Sequence, residues 1–490
     1  MKEVLEKLKK SGFYQPPFQR QKWGDTQVLP HVNWGDLFFD LFYVAAAYNL
    51  ATILKTDKNW ESFFYFLACF GPVYTHFWNM KTIYDARFGL PNDVVHPVFE
   101  VFQLCALATA VLHIKPTDQM SHPADNHETF MFCLANFFGT LHNVIFNAEI
   151  KYIWVDGVEE AAKHQAGKDL GHSVVTMLIN AAAAVYAGLL YYTDIGTHDV
   201  VYHGPMIIMI VGWLTKPFIL YFFYVHFAHD DFKRFSVPIN IGFVIHRMGE
   251  WTMLMLGESV LSLLIVNDVS DYAQANFYTV FYLGIVSVTL LQILYFKSQP
   301  HSADQHAMRR TRLSGMIFSF VIQLYSASLI IVGVGYKMLL TEYTSDYAVK
   351  DSDSDGDSYG TDGDTRSLAG SSSALKYSTA ERQQRIAWIF GLGLGSVFIC
   401  LDLLTMAHNG IDAGRARCND PETGKFNFKG FFIVVVSRLL IMGFVMTFSL
   451  YYSEPHGIAW FGLATIIMQV SRNIHYSLFL SQYAYRYEYT

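Results

Sequence analysis

The sequence predicts an all-α, polytopic membrane protein, a bundle of about 12 transmembrane helices with both termini in the cytoplasm. Three observations carry that expectation. Apolar runs of about 20 residues, long enough to cross a hydrocarbon core as a helix, recur along nearly the whole chain. Of its 490 residues 52% are apolar and only 16% charged, and mean hydropathy is +0.22; soluble folds do not sustain that balance. Lys and Arg gather in alternate loops, which fixes an orientation.

The N-terminal tail, residues 1–34, opens on the basic, amphipathic MKEVLEKLKKSG. It lacks the apolar core of a cleavable signal. Val4, Leu5 and Leu8 share a side that suits an anionic leaflet; a solvated, frayed helix is the alternative. The predicted spans follow at 35–54, 61–83, 95–113, 130–149, 172–192, 205–227, 243–266, 277–297, 313–340, 386–407, 430–452 and 458–481, and then the C-terminal tail 482–490. His142, Asn143 and Asn180 dilute two of them. With the N-terminus inside, the inner loops collect Lys2, Lys7, Lys9, Lys10, Arg309, Arg310, Arg312, Arg415, Arg417, Lys425 and Lys429. The short outer loops after residues 192, 266 and 452 hold no Lys or Arg.

Residues 341–385 break the membrane pattern. Their Ser-, Asp- and Gly-rich sequence, with DSDSDGDSYGTDGDT at its heart, cannot offset ordering entropy by burial and is expected to be disordered. Asp351, Asp353, Asp355, Gly356, Asp357 and Asp362 fall at the ligand spacing of a calcium loop, but the last is Asp where Glu is wanted. An acidic linker is the simpler reading. Ser352, Ser354 and Thr361 also suit acid-directed phosphorylation, which requires a cytoplasmic loop, whereas the charge rule places this one outside.

A faint repeat divides the chain into two parallel six-span halves, 35–227 and 243–481. Gln103-Leu104 echoes Gln323-Leu324, and His203-Gly204 echoes His456-Gly457. Chance recurrence of dipeptides is the alternative. Cys69, Cys105, Cys133 and Cys400 sit in apolar spans and Cys418 in a loop, with no disulfide framework. No H-E-x-x-H, G-x-S-x-G or phosphate-binding loop occurs, and the histidines lack metal-ligand spacing. The expectation is therefore no enzyme, no cofactor and no metal. The expected partners are the bilayer and a small molecule or ion, with no nucleic acid.

The chemistry lies in ionisable residues placed inside apolar runs. Gly242–Val266 is long enough to span, yet carries Arg247, Glu250 and Glu258. A charge at a span's centre costs at least about 2.5–3.5 kcal/mol, so it is paired, protonated or used. Arg247 and Glu250, at i,i+3, can pair locally. Arg247 and Glu258 share a face but lie about 16 Å apart along the axis, so Glu258 needs a partner from another helix. Lys216, followed by the helix-bending Pro217, and Arg472 are the candidates by depth. Asp36 and Asp40, at i,i+4, share a face of the first span; Asp36 suits a helix start, and Asp40 lies a turn deeper. Glu100, His142, Asp402 and Arg438 fall at a depth comparable with Asp40, and Asp402–Arg438 or Glu100–His142 would be ordinary interhelical pairs.

Several of these residues sit in segments that resemble the LtrA (low temperature requirement A) family of membrane proteins. Asp36-Leu37-Phe38-Phe39-Asp40-Leu41-Phe42-Tyr43-Val44 is similar to that family's opening E/D-L-F-F-D-L-x-F/Y-V. Trp78 to Phe88 (WNMKTIYDARF), followed by Asp93, resembles its second mark, and His246-Arg247-Met248-Gly249 with Leu256-Gly257-Glu258-Ser259 its third. His246 replaces the family's usual Glu, Glu250 and Trp251 stand where apolar residues are common, and the acidic insertion is extra. The resemblance implies a multispan membrane fold and an association with growth at low temperature, without supplying a molecular activity. From the residues themselves, a secondary transporter or permease of a small solute, proton-coupled through Glu258 and Asp40, is the leading expectation. In it Lys216, Arg247 and Arg472 are counter-ions or ligands for an anionic substrate. A non-transporting sensor or assembly factor and an ion channel are the alternatives.

Overall fold

The computed structural model describes residues 12–20, 34–56, 60–90, 93–121, 126–153, 160–193, 199–226, 236–266, 269, 274–300, 305–310, 312–344, 379–417, 440, 443–444 and 454–487. They are almost entirely helical. The main helices are α1 Trp34–Thr56, α2 Trp60–Pro72, α3 Met80–Asp85, α4 Val95–Leu112, α5 His127–Ala148, α6 Glu160–Tyr192, α7 Gly204–His226, α8 Ile241–Leu264, α9 Gln274–Ser298, α10 Arg312–Thr341, α11 Thr379–Arg417 and α12 Pro455–Tyr487. Seven described helices are long and apolar enough to cross a membrane. The acidic stretch 345–378 and most of the predicted span 430–452 lie outside the described residues, as do the N-terminal basic segment 1–11 and Cys418.

The surface is not that of a soluble domain. Leu41 on α1, Val98 on α4 and Phe218 on α7 are 61%, 63% and 74% exposed, while Asp40, Asn136, His172, Lys216 and Arg247 are buried. A lipid environment supplies the apolar solvent that such a surface needs.

Two predicted spans differ in detail. The 61–83 span is broken into α2, a π-helical stretch Val73–Asn79 and α3. Pro72 has no N–H to give the helical ladder, and the π-helical register begins at the next residue. The 172–192 span is the end of a longer helix that starts at Glu160, because EAAKHQAGKD is rich in strong helix formers.

The chain forms two compact units. The first comprises Met1–Met255, Gln299–Ala327 and Leu403–Ala413. Within it α5 packs on α4 and α6, α7 on α2 and α6, and α1 on α2 and α4. Gly71 lets α7 approach α2, since a Cβ there would run into the Trp213 indole. The N-terminal segment belongs to this unit. Phe18–Gln19 (β1) pairs antiparallel with Phe88–Gly89 (β2), and the Arg20 N–H donates to the Arg87 carbonyl at 3.0 Å. Beneath β2, Phe88, Ile150, Ala162, Ala166 and Val237 form a small apolar core, and Arg87 ties to Asp169 on α6 at 2.7 Å.

The second unit comprises Leu256–Ser298, Ser328–Asp402 and Gly414–Thr490. Here α9 packs on α12, and α10 meets α11 so closely that a Cβ on Gly393 would stand 3.0 Å from the Val332 backbone nitrogen.

His306, in the first unit, precedes the short helix Ala307–Arg310 and packs against His408 and Phe318 with ring centroids 4.6 Å away from each. Burial, with His408 beside it, pushes its pKa from 6.5 down to about 3. The unfolded chain therefore takes up a proton that the folded one refuses. Stability is full above the unfolded value and falls as pH drops below about 6.5 towards about 3. Acidifying the detergent-purified protein from pH 7 to pH 5 is expected to cost about 2 kcal/mol at this residue. In thermal unfolding, His306→Asn, which keeps a capping side chain but does not titrate, should flatten that acid limb.

Candidate functional site

Asp40 and Arg247 form the centre of the first buried node. Asp40 lies a turn beyond Asp36 on α1, and Arg247 projects from the second turn of α8. Arg247 Nη1 and Nη2 donate to the two carboxylate oxygens of Asp40, both at 2.8 Å, and Nη1 also donates to Glu250 Oε2 at 2.7 Å. Such a forked pair fixes direction as well as charge. The Trp78 indole N–H donates to Asp40 Oδ1 at 3.2 Å, and the Arg247 guanidinium lies 5.6 Å from the Trp78 ring centroid. Trp251, one residue after Glu250, closes the node: its ring contacts Trp78, Tyr74 and Tyr43 at 4.7, 4.9 and 5.1 Å, and its N–H donates to Ser326 at 2.8 Å. These aromatics exclude water from a pair that is only 3% and 4% exposed. The π-helical stretch after Pro72 carries both Tyr74 and Trp78.

At the end of the bundle nearest Asp36 the ions are shared more widely. Lys81 reaches Asp85 at 2.9 Å, Glu100 at 3.1 Å and Asp36 at 3.9 Å. Glu100 thus pairs with Lys81 and not with His142, correcting the expected pair. His142 is buried against Phe146, and neither of its ring nitrogens has a hydrogen-bond partner among the described residues. His246 is exposed and lies 3.3 Å from Glu250. A further cluster joins the N-terminal segment to the bundle. Tyr14 donates to Glu149 at 2.6 Å, His96 Nε2 lies 3.2 Å from the same oxygen, and His96 Nδ1 lies 2.8 Å from Asp93. Burial and the neighbouring Glu149 raise the Tyr14 pKa, which keeps its hydroxyl a donor.

Lys216 occupies a different kind of place. It is buried on α7, and its ammonium donates to the Thr75 carbonyl at 3.4 Å. No carboxylate of the described residues lies within ion-pair distance of it. Its neighbours are polar and uncharged or weakly basic: it acts electrostatically on His76 and His172. Thr75 and the Trp213 indole both donate to Gln323 Oε1, at 3.3 and 2.6 Å. Alongside runs a buried polar seam. Asn136, Thr140, Asn143 and Asn147 recur at i,i+3/i+4 on α5, and His172, Thr176 and Asn180 at i,i+4 on α6. Asn143 donates to the His76 carbonyl at 2.8 Å, and Asn147 to Ser173 at 3.5 Å. An anion entering this seam would meet the Lys216 ammonium and the ring nitrogens of His76 and His172 that are unpartnered among the described residues.

The remaining predicted site residues belong to the second unit. Glu258 is 1% exposed and accepts from Ser262, one turn on, at 2.9 Å. Ser259 donates to the Leu329 carbonyl at 3.2 Å. Asp402 is partly buried on α11, while Arg438 and the side chain of Arg472 lie outside the described residues. The sequence pointed to Asp40, Arg247 and Glu250 but missed Lys81, Thr75 and the α5–α6 seam. The regular spacing of Asn and Thr in an otherwise apolar span was the signal that could have found that seam.

Apolar helices with lipid-suited surfaces, enclosing ion pairs and a polar chamber, define a multi-pass integral membrane protein. The chain belongs to the LtrA family: the family model described as "Bacterial low temperature requirement A protein (LtrA)" matches residues 31–360, which include all three motif segments. No curated protein and no solved structure matches the chain.

Proposed function

We propose that this LtrA-family protein is a secondary transporter of a small anionic solute, with about 12 spans and both termini cytoplasmic. The observation that carries the reading is Lys216: a buried cation, without a carboxylate at ion-pair distance among the described residues, beside the imidazoles of His76 and His172. An uncompensated charge at that depth is costly unless a ligand meets it. The Asp40–Arg247–Glu250 node serves as the fixed hinge charge, and the carboxylate of Glu258 as the proton-carrying group that biases one conformation over another. The positive-inside bias of the loops supports the topology.

The test is flux in proteoliposomes loaded with a panel of small carboxylates. The wild type should accumulate one of them when a pH gradient is imposed. Glu258→Gln should still equilibrate it but ignore the gradient. Accumulation that still follows the gradient in that variant removes the proton role from Glu258. A sensor or assembly role is the second reading, favoured by the closed pairing of Asp40 with Arg247 and Trp78. Absence of flux together with a stable partner in detergent pull-down would establish it.

A further inference from the structure

We propose that His113, His127 and Glu128 form a binding site for a zinc-type divalent metal ion where α4 ends and α5 begins. His113 caps the last turn of α4, its backbone N–H donating to the Thr109 carbonyl at 3.2 Å, and His127 and Glu128 open α5. The two helix ends thus bring two imidazoles and a carboxylate to one point. One donor atom from each lies within 4.8 Å of the other two. Glu128 stands between the rings, with Oε2 2.7 Å from His113 Nδ1 and Oε1 3.9 Å from His127 Nδ1.

A tetrahedral zinc centre with bonds of about 2.0–2.1 Å holds its ligand atoms about 3.3 Å apart. The site therefore needs a closure of up to about 1.5 Å, and the side chain with freedom to make it is His127, which is 48% exposed. His113 is buried and supplies the fixed edge. The His127 ring is already steered by its neighbours, with centroids 5.4 Å from His113 and 5.6 Å from Tyr191. Two imidazole nitrogens and one carboxylate suit zinc, copper or nickel and disfavour calcium and magnesium, which want oxygen donors. Three protein ligands leave the fourth position for water or an external ligand, on the side where His127 meets solvent. The plainer account is a His113–Glu128 hydrogen bond that pins two helices together. That account gives His127 no role.

The experiment uses the full chain in detergent, stripped with a chelator and titrated with zinc chloride, with cobalt chloride as a spectroscopic probe. One equivalent of zinc should bind at micromolar concentration and raise the unfolding temperature, and cobalt should show the intense visible bands of a tetrahedral centre. His127→Ala and Glu128→Gln should each weaken binding by about 100-fold, because ligand loss removes affinity directly. His164→Ala, at a half-buried histidine beside Glu160 on α6, should change nothing. Calcium and magnesium should give no stabilisation. Zinc affinity unchanged in His127→Ala, or no stoichiometric binding by the wild type, overturns the proposal. His127 is exposed, so that variant is expected to keep its size-exclusion profile.

Discussion

Arg247→Met should destabilise the protein by about 3–5 kcal/mol, the cost of leaving a buried carboxylate without its counter-ion. Asp40 would keep only the Trp78 indole at 3.2 Å, in surroundings walled by Trp251 and Tyr43. Glu250 would lose its 2.7 Å partner as well, but it is less buried and has His246 at 3.3 Å. Asp40→Asn leaves the converse defect, an arginine deprived of one carboxylate and still held by Glu250. The informative variant is the double one. Asp40→Asn with Arg247→Met removes both charges while the amide oxygen introduced on α1 still accepts from Trp78, and it should recover most of the loss. Thermal unfolding of the four proteins in one detergent closes the cycle. Strictly additive losses would mean that the forked pair contributes no coupling, and the node would then be an accident of packing.

Lys216→Met is expected to separate stability from function. The ammonium is buried and is met by a single carbonyl at 3.4 Å, so it carries a desolvation cost that little offsets. Methionine fills a similar volume without the charge, and the unfolding temperature should hold or rise. Carboxylate flux should fall by about 100-fold, the scale expected when one charge-assisted bond to an anion is lost in a dry site. Lys216→Arg keeps the charge and should retain part of the flux. A purely structural lysine predicts the opposite signature, with a lower unfolding temperature and intact flux in the methionine variant. Measuring both quantities on the same preparation decides between them.

Legibility followed the range of the interaction. Hydropathy marked where helices occur, and the spacing of Arg247 and Glu250 gave their pairing, because both are properties of a few neighbouring residues. Glu258 was conspicuous for the same reason. Its hydrogen bond to Ser262 is also local, an i,i+4 contact within one helix. Comparable depth allows a Glu100–His142 pair, but depth does not say which way a helix is turned, and Glu100 meets Lys81. Lys81, at the end of a span that looked uniform, drew little notice until the fold gathered three carboxylates around it. The π-helical stretch after Pro72 was invisible too, since one shifted hydrogen-bond register leaves no trace in composition.

The class of the protein is written in local features of the chain. Its apolar runs, its loop charges and the LtrA motifs made it a multi-pass helical membrane protein with ionisable groups where lipid forbids them unpaired. Which groups meet depends on packing between distant helices. Asp40 and Arg247 are 207 residues apart, and their 2.8 Å contacts depend on the rotation and crossing of two helices. That geometry is set by many side chains at once, among them Gly71 against Trp213, so no local pattern encodes it. The same packing that gave Arg247 a carboxylate left Lys216 with a backbone carbonyl and two imidazoles.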